Sequence, residues 1–280
     1  MKVLITGSKG MLGSDIVKIF EKHHEVIGAD IQGFDITDSI KTQEYITELK
    51  PEVVLHCAAY ADVDGCESNV DLAFKVNALG ARNVALACAE VGASIVYIST
   101  DYVYDGEKKT PYYEYDQTNP LSIYGKSKLE GENFVKLLCS KHYIVRTSWL
   151  FGKNGKNFVR TMLELSKTKK QISVVDDQFG SPTYTPDLAG ALLELITKPA
   201  YGTYHITNEN HCSWCGFAKY IFEAANVKDI EVRPITTVEL GRPAPRPKNS
   251  VLEKFYLRLN GYRPLRPYKE AVEEYIKKAI

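Results

Sequence analysis

Three glycines spaced Gly-x-x-Gly-x-x-Gly, at Gly7, Gly10 and Gly13, stand at the junction of the apolar run Val3-Leu4-Ile5 and a stripe of Leu12, Ile16, Ile19 and Phe20 at helical spacing. This placement constrains the chain more than any other feature. A glycine triplet alone is a weak signal. Between a strand and a helix it is the loop that brings backbone close to a pyrophosphate and turns a helix N-terminus toward it. Gly7 and Gly10 permit the turn and the approach. Gly13 lets the helix lie against the strand, and Met11 and Leu12 carry N–H groups of the first turn.

The strand–helix alternation continues. Glu25–Ala29, Val53-Val54-Leu55-His56-Cys57, Ile95-Val96-Tyr97-Ile98 and Tyr143-Ile144-Val145-Arg146 read as continuous apolar strands, and helical patterns separate them. Such strands belong to a parallel sheet covered on both faces. With the phosphate loop after the first strand, the pattern predicts an α/β fold, a doubly wound parallel sheet of Rossmann type with a smaller C-terminal substrate-binding domain. The dinucleotide-binding domain is expected over residues 1–150, with 172–200 returning to it. The substrate-binding domain is expected over 151–171 and 201–280. One long helix is expected across 73–90, and another is expected to start at Asn119-Pro120. The proline- and arginine-rich region 233–250 reads as loop, either a solvated linker or a basic lid over an anionic substrate.

Lysine plus arginine equals aspartate plus glutamate, 35 each, so no global field draws nucleic acid or an anionic membrane. No apolar stretch approaches the ~18 residues of a membrane span, and the N-terminus reads as a buried strand rather than a signal peptide. Six scattered cysteines fit a reduced, cytoplasmic protein. Cys212-Ser213-Trp214-Cys215, with His205 and His211 near, raises zinc. Without a fourth ligand the pattern favours a plain helix start, and no metal ligands are assigned.

Asp30 ends the second strand, where an acidic residue bonds the adenosine ribose 2′-hydroxyl and repels a 2′-phosphate. It favours NADH over NADPH, although Lys9 can reach a 2′-phosphate. Asp35 either accepts from the adenine amino group or caps the helix starting near Ser39, and Ile36 follows it. Ala58 and Ala59, before Tyr60, are small enough for a cofactor to lie on the backbone. Asp62 and Asp64 either face the substrate or make turn bonds. Ser99-Thr100-Asp101 closes the fourth strand, so that Thr100 opens into the crevice and can polarise a substrate carbonyl.

Tyr124 and Lys128 sit four apart on a helix, one turn above each other. An ammonium near a phenol favours the phenolate, which predicts a tyrosine tuned to exchange a proton near neutral pH. Glycine loop, Ser-Thr-Asp run and Tyr/Lys pair together point to hydride transfer involving a nicotinamide.

These residues resemble the extended short-chain dehydrogenase/reductase superfamily, and within it the dTDP-4-dehydrorhamnose reductase family, over essentially the whole chain. Ser99-Thr-Asp-Tyr-Val-Tyr-Asp-Gly106, Tyr124-Gly-Lys-Ser-Lys-Leu-Glu-Gly-Glu132, Arg146-Thr-Ser-Trp-Leu150, Asn157-Phe-Val159, Asp177-Gln-Phe-Gly-Ser-Pro-Thr183 and Arg246-Pro-Lys-Asn-Ser-Val-Leu252 carry it. The resemblance implies reduction of the C4 ketone of dTDP-4-dehydro-L-rhamnose by NADH or NADPH, with Thr100, Tyr124 and Lys128 as the catalytic set. It implies cofactor contacts at Gly7, Gly10, Met11, Leu12, Gly13, Asp30, Asp35, Ile36, Ala58, Ala59, Tyr60, Ser99, Tyr124 and Lys128. Substrate contacts are implied at Thr100, Asp101, Trp149, Asn157, Arg246 and Ser250. Some relatives use a divalent ion such as Mg2+ at a dimer contact; no ligand cluster here supports the ion, and a homodimer is left open. Two rivals stand: another nucleotide-sugar epimerase or dehydratase of this fold, and a non-catalytic regulatory subunit built on it. Tyr102 following Asp101, in place of the usual glutamate, argues against a dehydratase, and the complete Thr/Tyr/Lys set argues against a silent site.

Overall fold

The computed structural model describes residues 1–279. Its centre is a six-stranded, wholly parallel sheet. Across the sheet the strands run Gly202–His205, His142–Thr147, Ser94–Thr100, Val53–His56, Lys2–Thr6 and Glu25–Ala29. The chain goes outward from the first strand to the second, then returns to the other side of the first with the third. That reversal opens a crevice at the strands' carboxyl ends, which the glycine loop enters.

Both sheet faces are buried, so the strands read as unbroken apolar runs. Val3 and Ile5 pack with Ile16, Phe20, Leu188 and Leu192 on one face. Leu4, between them, points to the other face, against Ile46, Val84, Ile95 and Ile144. A separate core of Phe151, Val159, Ile172, Val174, Phe217, Ile221 and Val272 holds the smaller C-terminal part.

The strands after residue 150 are distributed differently from the expectation. Gln171–Val175, expected to return to the large sheet, pairs with Glu231–Ile235 instead. Gly202–His205, expected in the substrate part, is an edge strand of the large sheet and pairs with His142–Thr147. The helix Thr185–Leu195 explains both placements. Leu188 and Leu192 lie against the first helix, so this helix is the crossover that returns the chain to the sheet, and residues 148–184 form an excursion from it.

The 233–250 region is loop only in part. Glu231–Ile235 is a strand that tolerates Pro234 because its sheet has only two strands. Thr237–Leu240 is a short helix with a Thr236/Glu239 capping box. The long helix expected over 73–90 is divided by a π-helical turn, Lys75–Gly80. The helix Ile123–Leu138 starts not at Asn119-Pro120 but at Ser122, whose hydroxyl accepts from the Gly125 N–H at 3.1 Å. Ser213 likewise caps Trp214–Ala224, so the Cys-x-x-Cys marks a helix start. Among the described residues no three His, Cys, Asp or Glu are arranged to hold a metal ion. No helix among them is long and apolar enough to cross a membrane.

Candidate active site

The glycine loop is a cradle that side chains would fill. Gly7 has φ +67°, and a Cβ there would lie 2.8 Å from the Ala58 nitrogen. A Cβ on Gly13 would come within 2.1 Å of the Gly7 carbonyl oxygen, so first strand and first helix approach only through glycine. In front of the loop lies a cleft of about 550 Å³, lined by Gly7, Gly10, Asp30, Asp35, Ile36, Ala58 and Ala59 among others. Seven residues expected at a dinucleotide thus share one cleft. Leu12 does not: its side chain is buried in the core, and only its backbone faces the helix start.

Asp30 ties the second strand to the loop, since its carboxylate accepts from the Lys9 N–H (3.0 Å) and the Ile31 N–H (2.9 Å). Asp35 does not cap the next helix. Its carboxylate accepts from the Thr37 N–H, and Asp38 is the cap, accepting from the Lys41 N–H at 3.1 Å.

Deeper in the crevice, Gly125 and Gly131 set the helix Ile123–Leu138 close to the fourth strand. A Cβ on Gly125 would meet the Tyr102 carbonyl oxygen at 2.2 Å, and one on Gly131 the Tyr97 hydroxyl at 2.2 Å. This approach buries Lys128 with its Nζ 4.0 Å from the Tyr97 ring centroid, and sets the Tyr124 ring edge-on to Tyr102. Thr100, at the end of the strand, lies beside Tyr124; its hydroxyl donates to Asp101 at 3.0 Å and accepts from the Tyr102 N–H.

The expected phenolate is not what this environment favours. Burial pushes the Tyr124 phenol up, and the neighbouring Thr100 hydroxyl opposes it only in part. Burial also draws Lys128 down to about 7, against the pull of Glu132 and Cys57. Desolvation dominates at both groups, and Lys128 is not among the charges that shift Tyr124. Asp101 is raised to about 7, again by burial, and its Oδ2 has no hydrogen-bond partner.

Several expected contacts are engaged within the fold. The Ser99 hydroxyl donates to Glu132 at 2.6 Å and is turned away from the cleft. Asn157 caps Phe158–Ser166, accepting from the Arg160 N–H, and donates to the Gly152 carbonyl, so its amide is used on both sides. Ser250 is buried with its hydroxyl on the Phe179 carbonyl, 3.3 Å away. Trp149 takes a left-handed backbone (φ +48°) and stacks on Trp214 at 3.5 Å, over a position where only Gly180 leaves room. Arg246 forks onto Asp64, and the Tyr102 hydroxyl lies beside it.

Three supporting residues, Asn77, Glu132 and Arg146, stand behind the site. Asn77, in the π-helical turn, bonds both the N–H and the carbonyl of Tyr60 and donates to Ser127 on the helix that carries Tyr124 and Lys128. A polar residue inside an apolar helix was its only signal; π-turns often occur at functional sites. Glu132, one turn beyond Lys128, forms a fully buried pair with Arg146, whose Nε and Nη2 donate at 2.9 and 2.7 Å. Arg146 also donates to the Tyr104 hydroxyl, which contacts His205.

The sequence matches the RmlD substrate binding domain over residues 1–280. The chain belongs to the RmlD family. Its dTDP-4-dehydrorhamnose reductase-like members share the extended short-chain dehydrogenase/reductase fold and are NAD(P)-dependent reductases. A dTDP-4-dehydrorhamnose reductase from Clostridium acetobutylicum superposes with a TM-score of 0.97 at 51% identity, covering 100% of this chain and 99% of that one. The Bacillus anthracis dTDP-4-dehydrorhamnose reductase, solved in complex with NADP, gives a TM-score of 0.97 at 46% identity, covering 99% of each chain. The spore coat polysaccharide biosynthesis protein SpsK of Bacillus subtilis is 41% identical, over 99% of this chain and 97% of that protein.

Proposed function

We propose that this RmlD-family chain reduces the C4 ketone of dTDP-4-dehydro-L-rhamnose to dTDP-L-rhamnose. The observation that carries the reading is the placement of Thr100 at the carboxyl end of the fourth strand beside Tyr124, with Lys128 one turn further along the same helix. Reductases of this name that match the chain along its length support the substrate. The cleft fits a dinucleotide because its glycines leave the space that a Cβ would take. Gly7, Gly10 and the helix start at Met11 would hold the pyrophosphate, and Asp30 the adenosine ribose. NADH or NADPH, when bound, supplies the hydride.

The remaining chemistry belongs to the side chains. Tyr124 retains its proton at neutral pH because burial disfavours the phenolate, so it is poised to protonate O4 as negative charge develops there. Thr100 orients the Tyr124 hydroxyl and shares the carbonyl oxygen. Lys128, where charged, stabilises the phenolate left behind. Asn77 and Glu132 hold the catalytic helix in register with the third and fourth strands. The test is oxidation of reduced cofactor by dTDP-4-dehydro-L-rhamnose; absence of turnover with this substrate, alongside turnover of another 4-keto sugar nucleotide, would move the reading to that sugar.

Two consequences can be checked directly. Wild type should use NADH at least as well as NADPH. Asp30→Asn keeps the hydrogen-bond acceptor for the Lys9 N–H but removes the charge, and should shift kcat/KM toward NADPH by about 10-fold, the scale of one charge-assisted contact. A hundredfold preference of wild type for NADPH would show that Asp30 does not read the ribose. The substrate diphosphate needs its own cation, and Arg246 supplies it from a backbone restrained by Pro245 and Pro247. Arg246→Ala should raise the substrate KM by about 10- to 150-fold and weaken dTDP inhibition, with cofactor affinity unchanged. Equal dTDP affinity in wild type and variant would refute the assignment.

A further inference from the structure

Four hydrogen bonds from residues 242–246 converge on one side chain. Asp64 Oδ1 accepts from Arg246 Nη1 (3.0 Å) and from the Ala244 N–H (3.1 Å), and its Oδ2 accepts from Arg246 Nη2 (3.0 Å) and Arg242 Nη1 (3.4 Å). The next few residues are held by other means. The Phe179 N–H donates to the Lys248 carbonyl, and the Asn249 amide donates to the carbonyls of Lys108 and Thr110. The segment is therefore anchored on one side without Asp64, while its arginine-bearing half is docked through Asp64, with the Tyr102 side chain beside Arg246. Asp64 lies in the short helix Val63–Ser68, which follows the carboxyl end of the third strand. The contact thus spans the crevice mouth, from the cofactor side to the C-terminal segment. Tyr102 lies beneath it, beside Arg246 and edge-on to Tyr124.

We propose that Asp64 is a positioning residue for the nucleotide-sugar: it docks residues 242–246 across the crevice and presents Arg246 to the substrate diphosphate. This rests on the reading of Arg246 given above. A bidentate carboxylate fixes both the place and the plane of a guanidinium, so the cation is ordered before the diphosphate arrives and less entropy is lost on binding. The Arg246 Nε–H is not used by Asp64. Asp64 is about a quarter exposed and outside the hydrophobic cores, so its replacement tests docking rather than folding.

The experiment measures dTDP affinity, NADPH affinity, turnover and amide hydrogen exchange in wild type, Asp64→Ala, Asp64→Glu, Arg246→Ala and the Asp64→Ala/Arg246→Ala pair. Asp64→Ala should weaken dTDP binding and raise the substrate KM by about 10-fold, with kcat and NADPH affinity nearly unchanged. It should also speed exchange at the Ala244 amide with no ligand added. Asp64→Glu should recover part of the affinity. Adding Asp64→Ala to Arg246→Ala should cost little more, because Asp64 acts through that arginine. Unchanged or tighter dTDP binding in Asp64→Ala overturns the proposal, as do fully additive effects. If Arg246→Ala itself leaves dTDP affinity unchanged, the Arg246 assignment fails, and with it this inference. Faster Ala244 exchange together with unchanged dTDP affinity rejects the positioning role while leaving the reductase assignment intact.

Discussion

Tyr124→Phe is expected to lower turnover by about 10² to 10⁴, the usual worth of a positioned acid, while cofactor and dTDP affinities stay close to wild type. The phenylalanine ring preserves the edge-on contact with Tyr102 and leaves Gly125 against the Tyr102 carbonyl, so the helix keeps its place. What disappears is one hydroxyl beside Thr100. The direction of the Tyr124 shift matters. A depressed phenol would serve best as a base, whereas a phenol raised by burial keeps its proton and serves ketone reduction. Turnover of the variant within a few-fold of wild type would remove Tyr124 from the mechanism.

Glu132→Ala is expected to destabilise the protein by about 3–5 kcal/mol, because it strands the Arg146 guanidinium in a site only 3% exposed. Ser99 and Lys136 lose a partner as well. Denaturant unfolding measures the loss. A paired replacement, Glu132→Leu with Arg146→Met, should recover most of it, since the cost lies in an uncompensated charge rather than in the missing attraction. Burial alone would raise the Glu132 carboxyl; Arg146, through its charge and hydrogen bonds, overrides this and brings it to about 2, below its ordinary 4.5. A depressed carboxylate stabilises the fold above its unfolded pKa. Wild type should therefore lose this contribution as pH falls from about 4.5 through about 2, and Glu132→Ala should lack that part of the acid sensitivity. An unfolding free energy unchanged by Glu132→Ala at neutral pH would contradict the account of the buried pair.

What the sequence made legible was what a local pattern encodes. The glycine spacing between Ile5 and Ile16 located the loop because only glycine fits where Gly7 and Gly13 approach backbone. The continuous apolar runs gave a parallel sheet because Val3, Leu4 and Ile5 are all buried, on alternate faces. The i, i+4 spacing of Tyr124 and Lys128 put them on one helix face. Features set by distant partners stayed hidden. Asp64 and Arg246 are 182 residues apart, and no local rule connects a helix-opening aspartate to a proline-rich loop. Gly202–His205 reads as a short polar run, and its place in the large sheet depends on pairing with His142–Thr147. The directions of the Tyr124 and Lys128 shifts depend on burial, which spacing does not convey. Caps and buried networks occupy the amide of Asn157 and the hydroxyls of Ser250 and Ser99, and no local pattern signals that engagement.

The central claim is hydride delivery to C4 of a dTDP-linked 4-keto sugar at the site formed by Thr100, Tyr124 and Lys128. Its most direct test is one reaction: reduced cofactor carrying deuterium at the transferable C4 position, incubated with dTDP-4-dehydro-L-rhamnose and the purified protein, with the product analysed by NMR. The account predicts dTDP-L-rhamnose bearing one deuterium at C4, formed by wild type and nearly abolished by Tyr124→Phe. Recovery of unreduced substrate, or of a product without deuterium at C4, would contradict it.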